Sequence, residues 1–224
     1  MQVRLVKHTP DPELTIAAAA RLCYSNVSAG EILQRLGKPA AERLLRQVIS
    51  SGHHSTLEHA SFTFAIDGVS RATSHQLVRH RLASYSQQSQ RWVTFTAPEY
   101  VTPPSVAGRP ELREAYERAM RAAFDLYGRL RDAGVPAEDA RYVLPNATCT
   151  RLVMTMNARE LIHVASIRLC QRAQWEIVQL FELVKEEVSQ VAPIIGEHLR
   201  PKCETAGYCD ETESCGRVPK KGGG

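Results

Sequence analysis

Residues 148–169 read TCTRLVMTMNARELIHVASIRL. From Thr148 to Met156 the stretch is β-branched and alternates polar with apolar residues, the two-residue period of a strand with one buried face. At Asn157 the pattern changes. Asn157 followed three residues later by Glu160 is a capping-box arrangement, which starts a helix running to about Leu169. Strands and helices elsewhere are mixed without a regular strand–helix–strand beat. The expectation is therefore a single-domain α+β fold, a mixed sheet flanked by long helices, rather than a doubly wound sheet.

Upstream, Val3 to Val6 reads as a short strand, and Asp11–Pro12 opens a helix to about Cys23. Asn26 to Gly37 is a polar connection with room for a short helix. Leu44, Leu45, Val48 and Ile49 recur at helical spacing, predicting a helix over Pro39 to Ser51 closed by Gly52. Phe62, Phe64 and Ile66 predict a strand ending at Asp67–Gly68. Ser70 to about Arg81 reads as a helix, Tyr85 to Phe95 as polar extended chain, and Pro98 to Pro110 as a loop. Leu112, Ala115, Ala119, Leu126 and Leu130 mark a long amphipathic helix that stops at Gly134. A short helix restarts at Val135–Pro136 and ends near Pro145. Downstream, Gln174 to Leu199 reads as one long helix. The domain is expected over residues 1–200, followed by a polar Cys- and Gly-containing tail over 201–224.

The 224 residues are 43% hydrophobic and 23% charged, an ordinary globular balance. The longest apolar run, Ile16 to Ala20, is far shorter than the ~20 residues that span a bilayer. Met1 to Lys7 lacks the pattern of a signal peptide, so a cytoplasmic protein is expected. The net charge of +4 is too mild to imply nucleic-acid binding, and aromatic residues are only 6%. Of the 28 basic residues, 22 are Arg and 6 are Lys. Arg grips phosphate and carboxylate bidentately, so its placement matters more than its number.

The densest chemistry lies in the 17 residues from His75 to Arg91. Gln76 and Arg79, three apart, share a face if the segment is helical. Arg79, His80 and Arg81 then place three potential cations at a helix end. Ser84, Ser86, Gln87, Gln88, Ser89 and Gln90 follow, all uncharged donors and acceptors, and Arg91 closes the run. Guanidiniums hold phosphate, while Gln and Ser read carbonyl and imide edges of a ring, so the composition suits a phosphorylated, heteroatom-rich ligand.

Arg79-His80-Arg81, seven residues, then Ser89, with Arg91 two further on, resembles the signature of the flavin-dependent thymidylate synthases. Three more blocks agree: Gly52 to His59 followed by Ser61-Phe62-Thr63-Phe64; Arg141 to Pro145; and Asn157 to Leu161 with Ile167-Arg168-Leu169 and Ala173 to Ile177. The resemblance covers roughly residues 1–200. It implies methylation of dUMP to dTMP, with methylenetetrahydrofolate as carbon donor and FAD, reduced by NADPH, as reductant, in a homotetramer whose sites are shared between subunits. By position it assigns Ser55, Arg79, His80, Arg81, Gln87, Asn157, Arg159 and His163 to FAD. It assigns Gln76, Arg79, Gln87, Gln88, Ser89, Gln90, Arg91, Arg141 and Arg168 to dUMP, with Arg168 and Ser89 catalytic. Arg168 matches the arginine thought to stabilise the uracil ring as an N3 anion. Ser89 lacks an adjacent general base, so it reads as orienting rather than attacking the substrate. Arg159 and His163 share a helix face, whereas Arg168 lies about half a turn away in angle. The sequence departs from the family at Ser86-Gln87, where Asn-Glu is usual, and at Trp92, where Tyr is usual.

Two rival readings are weaker. His54-x-x-x-Glu58-His59 is one residue longer than the inverted zinc-protease motif, and on a helix its histidines would diverge by about 140°. A nucleic-acid module lacks any recognisable motif. In the tail, Cys203, Cys209 and Cys215 follow His198 with C-x5-C-x5-C spacing. That lacks the paired spacing of zinc knuckles, so a mobile polar extension and no metal are expected. Cys23, Cys149 and Cys170 sit in apolar surroundings and are expected to pack. Lys220 to Gly224 reads as a disordered end.

Overall fold

The computed structural model describes residues 1–221. The elements, in chain order, are β1 (Gln2–His8), α1 (Pro12–Leu22), α2 (Ala29–Arg35), α3 (Lys38–Ser50), a 3-10 helix (His54–His59), β2 (Ser61–Ser70), α4 (Arg71–Leu77) and β3 (Ala83–Gln87). There follow α5 (Pro104–Ala107), α6 (Pro110–Asp132), α7 (Ala137–Ala140), a 3-10 turn (Arg141–Val143), β4 (Cys149–Asn157), α8 (Ala158–Arg168), α9 (Trp175–Val191), α10 (Pro193–His198) and α11 (Lys202–Ala206). The sheet order is β1-β2-β4-β3. Its strands run antiparallel rather than mixed, as the Thr9–Ser61, Arg71–Thr148, Ala158–Ala60 and Gln88–Arg151 hydrogen bonds require. The fold is a single α+β domain.

Backbone packing groups the chain into two compact units. The first comprises Met1–Gln2, Ile66–Arg79 and Tyr85–Val153; the second comprises Val3–Ala65, His80–Ser84 and the chain from Met154 onward. In the second unit α1 packs on α3 and α8 on α9. Ile16, Leu45, Phe62, Phe64, Leu161, Val164 and Phe181 are buried there. In the first, the long helix α6 buries only Phe124 and Tyr127. Tyr127 meets Phe95 edge-on, with ring centroids 6.2 Å apart. No helix among the described residues is long and apolar enough to cross a membrane.

The strand–cap–helix unit forms as its sequence predicts. Leu152, Met154 and Met156 are buried along β4. The Asn157 side chain accepts from the Glu160 N–H at 2.8 Å and caps α8. Three elements differ from expectation. β2 runs past Gly68 to Ser70, because Gly68 takes a left-handed φ of 72° inside the strand instead of ending it. α4 stops at Leu77 rather than Arg81. The Tyr85 hydroxyl donates to the Leu77 carbonyl at 2.9 Å, and residues 83–87 enter the sheet as β3. Arg79, His80 and Arg81 therefore lie beyond the helix end, and Gln76 and Arg79 do not share a helical face. Finally, Pro193 divides the predicted 174–199 helix into α9 and α10, since it supplies no N–H to continue the ladder.

The tail is also more structured than a mobile extension. α11 ends on Gly207 at φ 76°, and Cys209 pairs with Lys220. Gly222 to Gly224, part of the expected disordered end, lie outside the described residues.

Candidate active site

The predicted site residues fall into both units. In the first unit, Gln87 Nε2 donates to Ser74 Oγ at 2.9 Å and Thr150 Oγ1 at 3.1 Å. Its amide nitrogen is thus occupied by two neighbouring hydroxyls. Gln88 Oε1 is buried without a hydrogen-bond partner among the described residues, an acceptor suited to a ligand N–H. Ser89 Oγ accepts from the Arg91 N–H at 3.1 Å, closing a local turn, and no base lies against it in that bond.

Arg91 and Arg141 are organised by one residue that the sequence reading did not single out. The Glu138 carboxylate pairs with Arg91 Nε at 2.6 Å, and the Glu138 carbonyl accepts from Arg141 Nε at 3.0 Å. The Arg91 guanidinium also lies over the Trp92 ring, 4.9 Å from its centroid. Arg71, likewise not anticipated, is half-buried. Burial, and then the neighbouring Arg141 guanidinium, hold its pKa below the ordinary arginine value. Two guanidiniums placed side by side form a ready place for a dianion such as phosphate.

In the second unit, α8 carries Arg159, His163 and Arg168. Arg168 Nε donates to His80 Nε2 at 2.9 Å. His80 is only 9% exposed, and its pKa is lowered to about 4, first by burial, then by the Arg168 charge and His163. His80 is therefore neutral at pH 7, its Nε2 holds the lone pair, and its proton sits on Nδ1. The buried Glu160, beside Arg159 and His163, has its pKa raised by burial. Arg159 pairs with Glu58 at 2.5 Å, both groups being about half exposed. Glu58 is thereby engaged by an arginine, and His54 Nε2 lies 3.3 Å from the Ile49 carbonyl. The His54–His59 segment is a 3-10 helix, so the geometry of the rival metal motif on an α-helix does not arise.

Ser55 lines a cleft of about 300 Å3 with Tyr24, Gln47 and His53, within the range of small-molecule sites. The donor set of this unit suits an anionic cofactor rich in heteroatoms. It combines the exposed guanidiniums of Arg81 and Arg159, a neutral imidazole at His80 and the Ser55 hydroxyl. Gln76 and Arg79 belong to the first unit, as does Gln90.

A sequence profile described as "Thymidylate synthase complementing protein" matches residues 4–194. Over 220 residues the chain is 51% identical to a protein of Geobacter sulfurreducens named flavin-dependent thymidylate synthase, covering 97% of this chain and 95% of that one. A Thermococcus onnurineus protein of the same name is 44% identical over 223 residues, covering 95% and 90%. Among solved structures, a UMP/dUMP methylase, PolB, from Streptomyces cacaoi bound with 5-Br dUMP superposes with a TM-score of 0.76 at 27% identity. It covers 88% of this chain and 93% of that one.

Proposed function

The chain belongs to the flavin-dependent thymidylate synthases, and on that footing we propose that it methylates dUMP reductively to dTMP. The carbon comes from methylenetetrahydrofolate and the reducing equivalents from FAD reduced by NADPH. The observation that carries this reading is the Arg168–His80 pair: a permanent cation fixed in orientation by a neutral, buried imidazole. When bound, reduced FAD supplies the hydride.

The residues divide the remaining work. Arg91 and Arg141, set by Glu138 and joined by Arg71, hold the dUMP phosphate. Gln76, Arg79, Gln87, Gln88, Ser89 and Gln90 read the nucleoside, with Ser89 shaping the loop rather than attacking. Arg168 stabilises negative charge on the uracil imide. A fixed cation at a developing anion lowers a barrier most when it needs no reorganisation, and the His80 contact fixes the guanidinium plane beforehand. Ser55, Arg79, His80, Arg81, Gln87, Asn157, Arg159 and His163 hold FAD. The family resemblance further supports a homotetramer with sites shared between subunits, so the two residue sets need not meet within one chain.

The test is dTMP formation by the purified, flavin-loaded protein supplied with dUMP, methylenetetrahydrofolate and NADPH, paired with growth of a thymidine-requiring host. Flavin reduction without dTMP, and no growth without thymidine, would sink the proposal.

A further inference from the structure

Four cysteines from two separate stretches of chain meet beside the C-terminal segment. Cys170 lies two residues past the end of α8. With Cys203, Cys209 and Cys215 it lines one cavity of about 10 Å3, the space of roughly one water or one ion. All four are free thiols. Arg172 and Lys202 line the same cavity.

The segment from Pro201 to Lys221 has little else to fold around. Its buried residues among those described are Pro201, Cys203 and Cys209. It nevertheless holds a defined path: the Cys209 N–H donates to the Pro219 carbonyl at 2.7 Å, and the Cys209 carbonyl accepts from the Lys221 N–H at 2.8 Å. Ordering backbone costs about 1–2 kcal/mol per residue. A short polar segment with so small a core ordinarily meets that cost with a cross-link, either disulfides or a metal.

We propose that Cys170, Cys203, Cys209 and Cys215 ligate one tetrahedral zinc-class ion that fastens the C-terminal segment to the chain leaving α8. Two disulfides could also use all four sulfurs, but the four line one cavity with room for a single ion, an arrangement in which one tetrahedral centre engages every thiol at once. Among the described residues no three potential ligands already stand in metal-holding geometry. Binding therefore contracts the four sulfurs onto the cavity they line, to about 2.3 Å from the ion. Each thiol releases its proton to solvent. A divalent ion with four thiolates carries net negative charge; Arg172 and Lys202 line the cavity beside it, paired with Glu213 and with Asp210 and Glu211 respectively, and Asp210 and Glu211 also line it. The spacing in the tail is wider than in a zinc knuckle, and the ligands are assembled instead by α11 and the Cys209–Lys220 pairing.

The experiment uses the full chain purified under reducing conditions without chelator or added metal. Elemental analysis should find about one zinc per chain. Native alkylation followed by peptide mapping then tests the ligands. Cys23 and Cys215 are both exposed, so ligation predicts that Cys23 reacts at once and Cys215 only after a strong chelator is added. Cys209→Ser should lose the zinc, whereas Cys149→Ser, outside the cavity, should keep it. Should Cys209→Ser fail to fold, the alkylation pattern of the native chain still decides. No zinc in the protein as purified, with Cys215 reacting as fast as Cys23 before any chelator is added and no protection on supplying one equivalent of zinc, would overturn the proposal. So would an intact mass showing disulfides, or iron with acid-labile sulfide in place of zinc.

Discussion

Arg168 donates its Nε–H to the Nε2 of His80 across 2.9 Å. The bond requires a lone pair on the imidazole, so it exists only while His80 is neutral. Burial and the Arg168 charge keep it so by holding its pKa near 4.

That shift has a definite sign. The folded pKa lies below the 6.5 of an ordinary histidine. Its contribution to stability is complete above pH 6.5 and is lost as pH falls from there toward 4, where the unfolded chain takes up a proton that the folded chain resists. The loss is on the order of 3 kcal/mol. Urea midpoints measured between pH 7.5 and 4.5 should fall in this window, and His80→Gln should flatten the slope. His198 is shifted in the same direction, so some slope should survive. A variant with the full wild-type slope would refute the role of His80.

Arg168→Ala should keep its flavin yet lose about 100- to 1000-fold in single-turnover dTMP formation, the usual cost of one lost electrostatic contact of ~3–4 kcal/mol. Arg168→Lys should recover little, because an ammonium cannot reproduce the planar guanidinium that His80 orients. A fall of less than about tenfold, ~1.4 kcal/mol, would leave Arg168 with binding alone.

Glu138→Gln removes the carboxylate that fixes Arg91 but keeps the backbone carbonyl that fixes Arg141. The ion pair is about half exposed, so stability should change by less than about 1 kcal/mol. The KM for dUMP should rise several-fold while flavin content stays unchanged. An unaltered KM would remove Glu138 from the substrate machinery.

Ser89→Ala deletes an acceptor for the Arg91 N–H and no nucleophile. Turnover should weaken but remain measurable. Complete loss of dTMP formation with normal dUMP and flavin binding would instead point to covalent participation.

The chain around β4 and α8 was legible because two signals coincide there: a period-two pattern ending at Met156 and a capping residue at Asn157. α4 was overextended because its end depends on a remote hydroxyl, that of Tyr85, and on β3 joining the sheet; helical periodicity contains neither. The break at Pro193 was visible in the sequence, but the apolar pattern on both sides masked it. Arg91, Arg141 and Arg168 could be named from their motifs. Glu138 and Arg71 could not, since what marks them is a partner brought close by the fold: Arg91 for one, Arg141 for the other. His80 could be named, but its neutrality follows from burial that only the folded chain provides.

Glu13, on α1, accepts from the N–H groups of Ile194 and Ile195 at 2.6 and 3.1 Å and so caps α10, and the Leu5 N–H donates to Glu187 at 2.6 Å. These bonds span more than 180 residues. During synthesis the first strand and helix can meet β2 and α3 early, but these bonds close only once nearly the whole chain has emerged, and the half-buried Glu13 carboxyl lacks its α10 backbone donors until then. A ribosome-stalled chain ending at residue 190 should leave α1 open to protease, and one extended past residue 221 with a linker long enough to clear the exit tunnel should protect it. Equal protection in both would mean that the N-terminal elements fold without their distant cap.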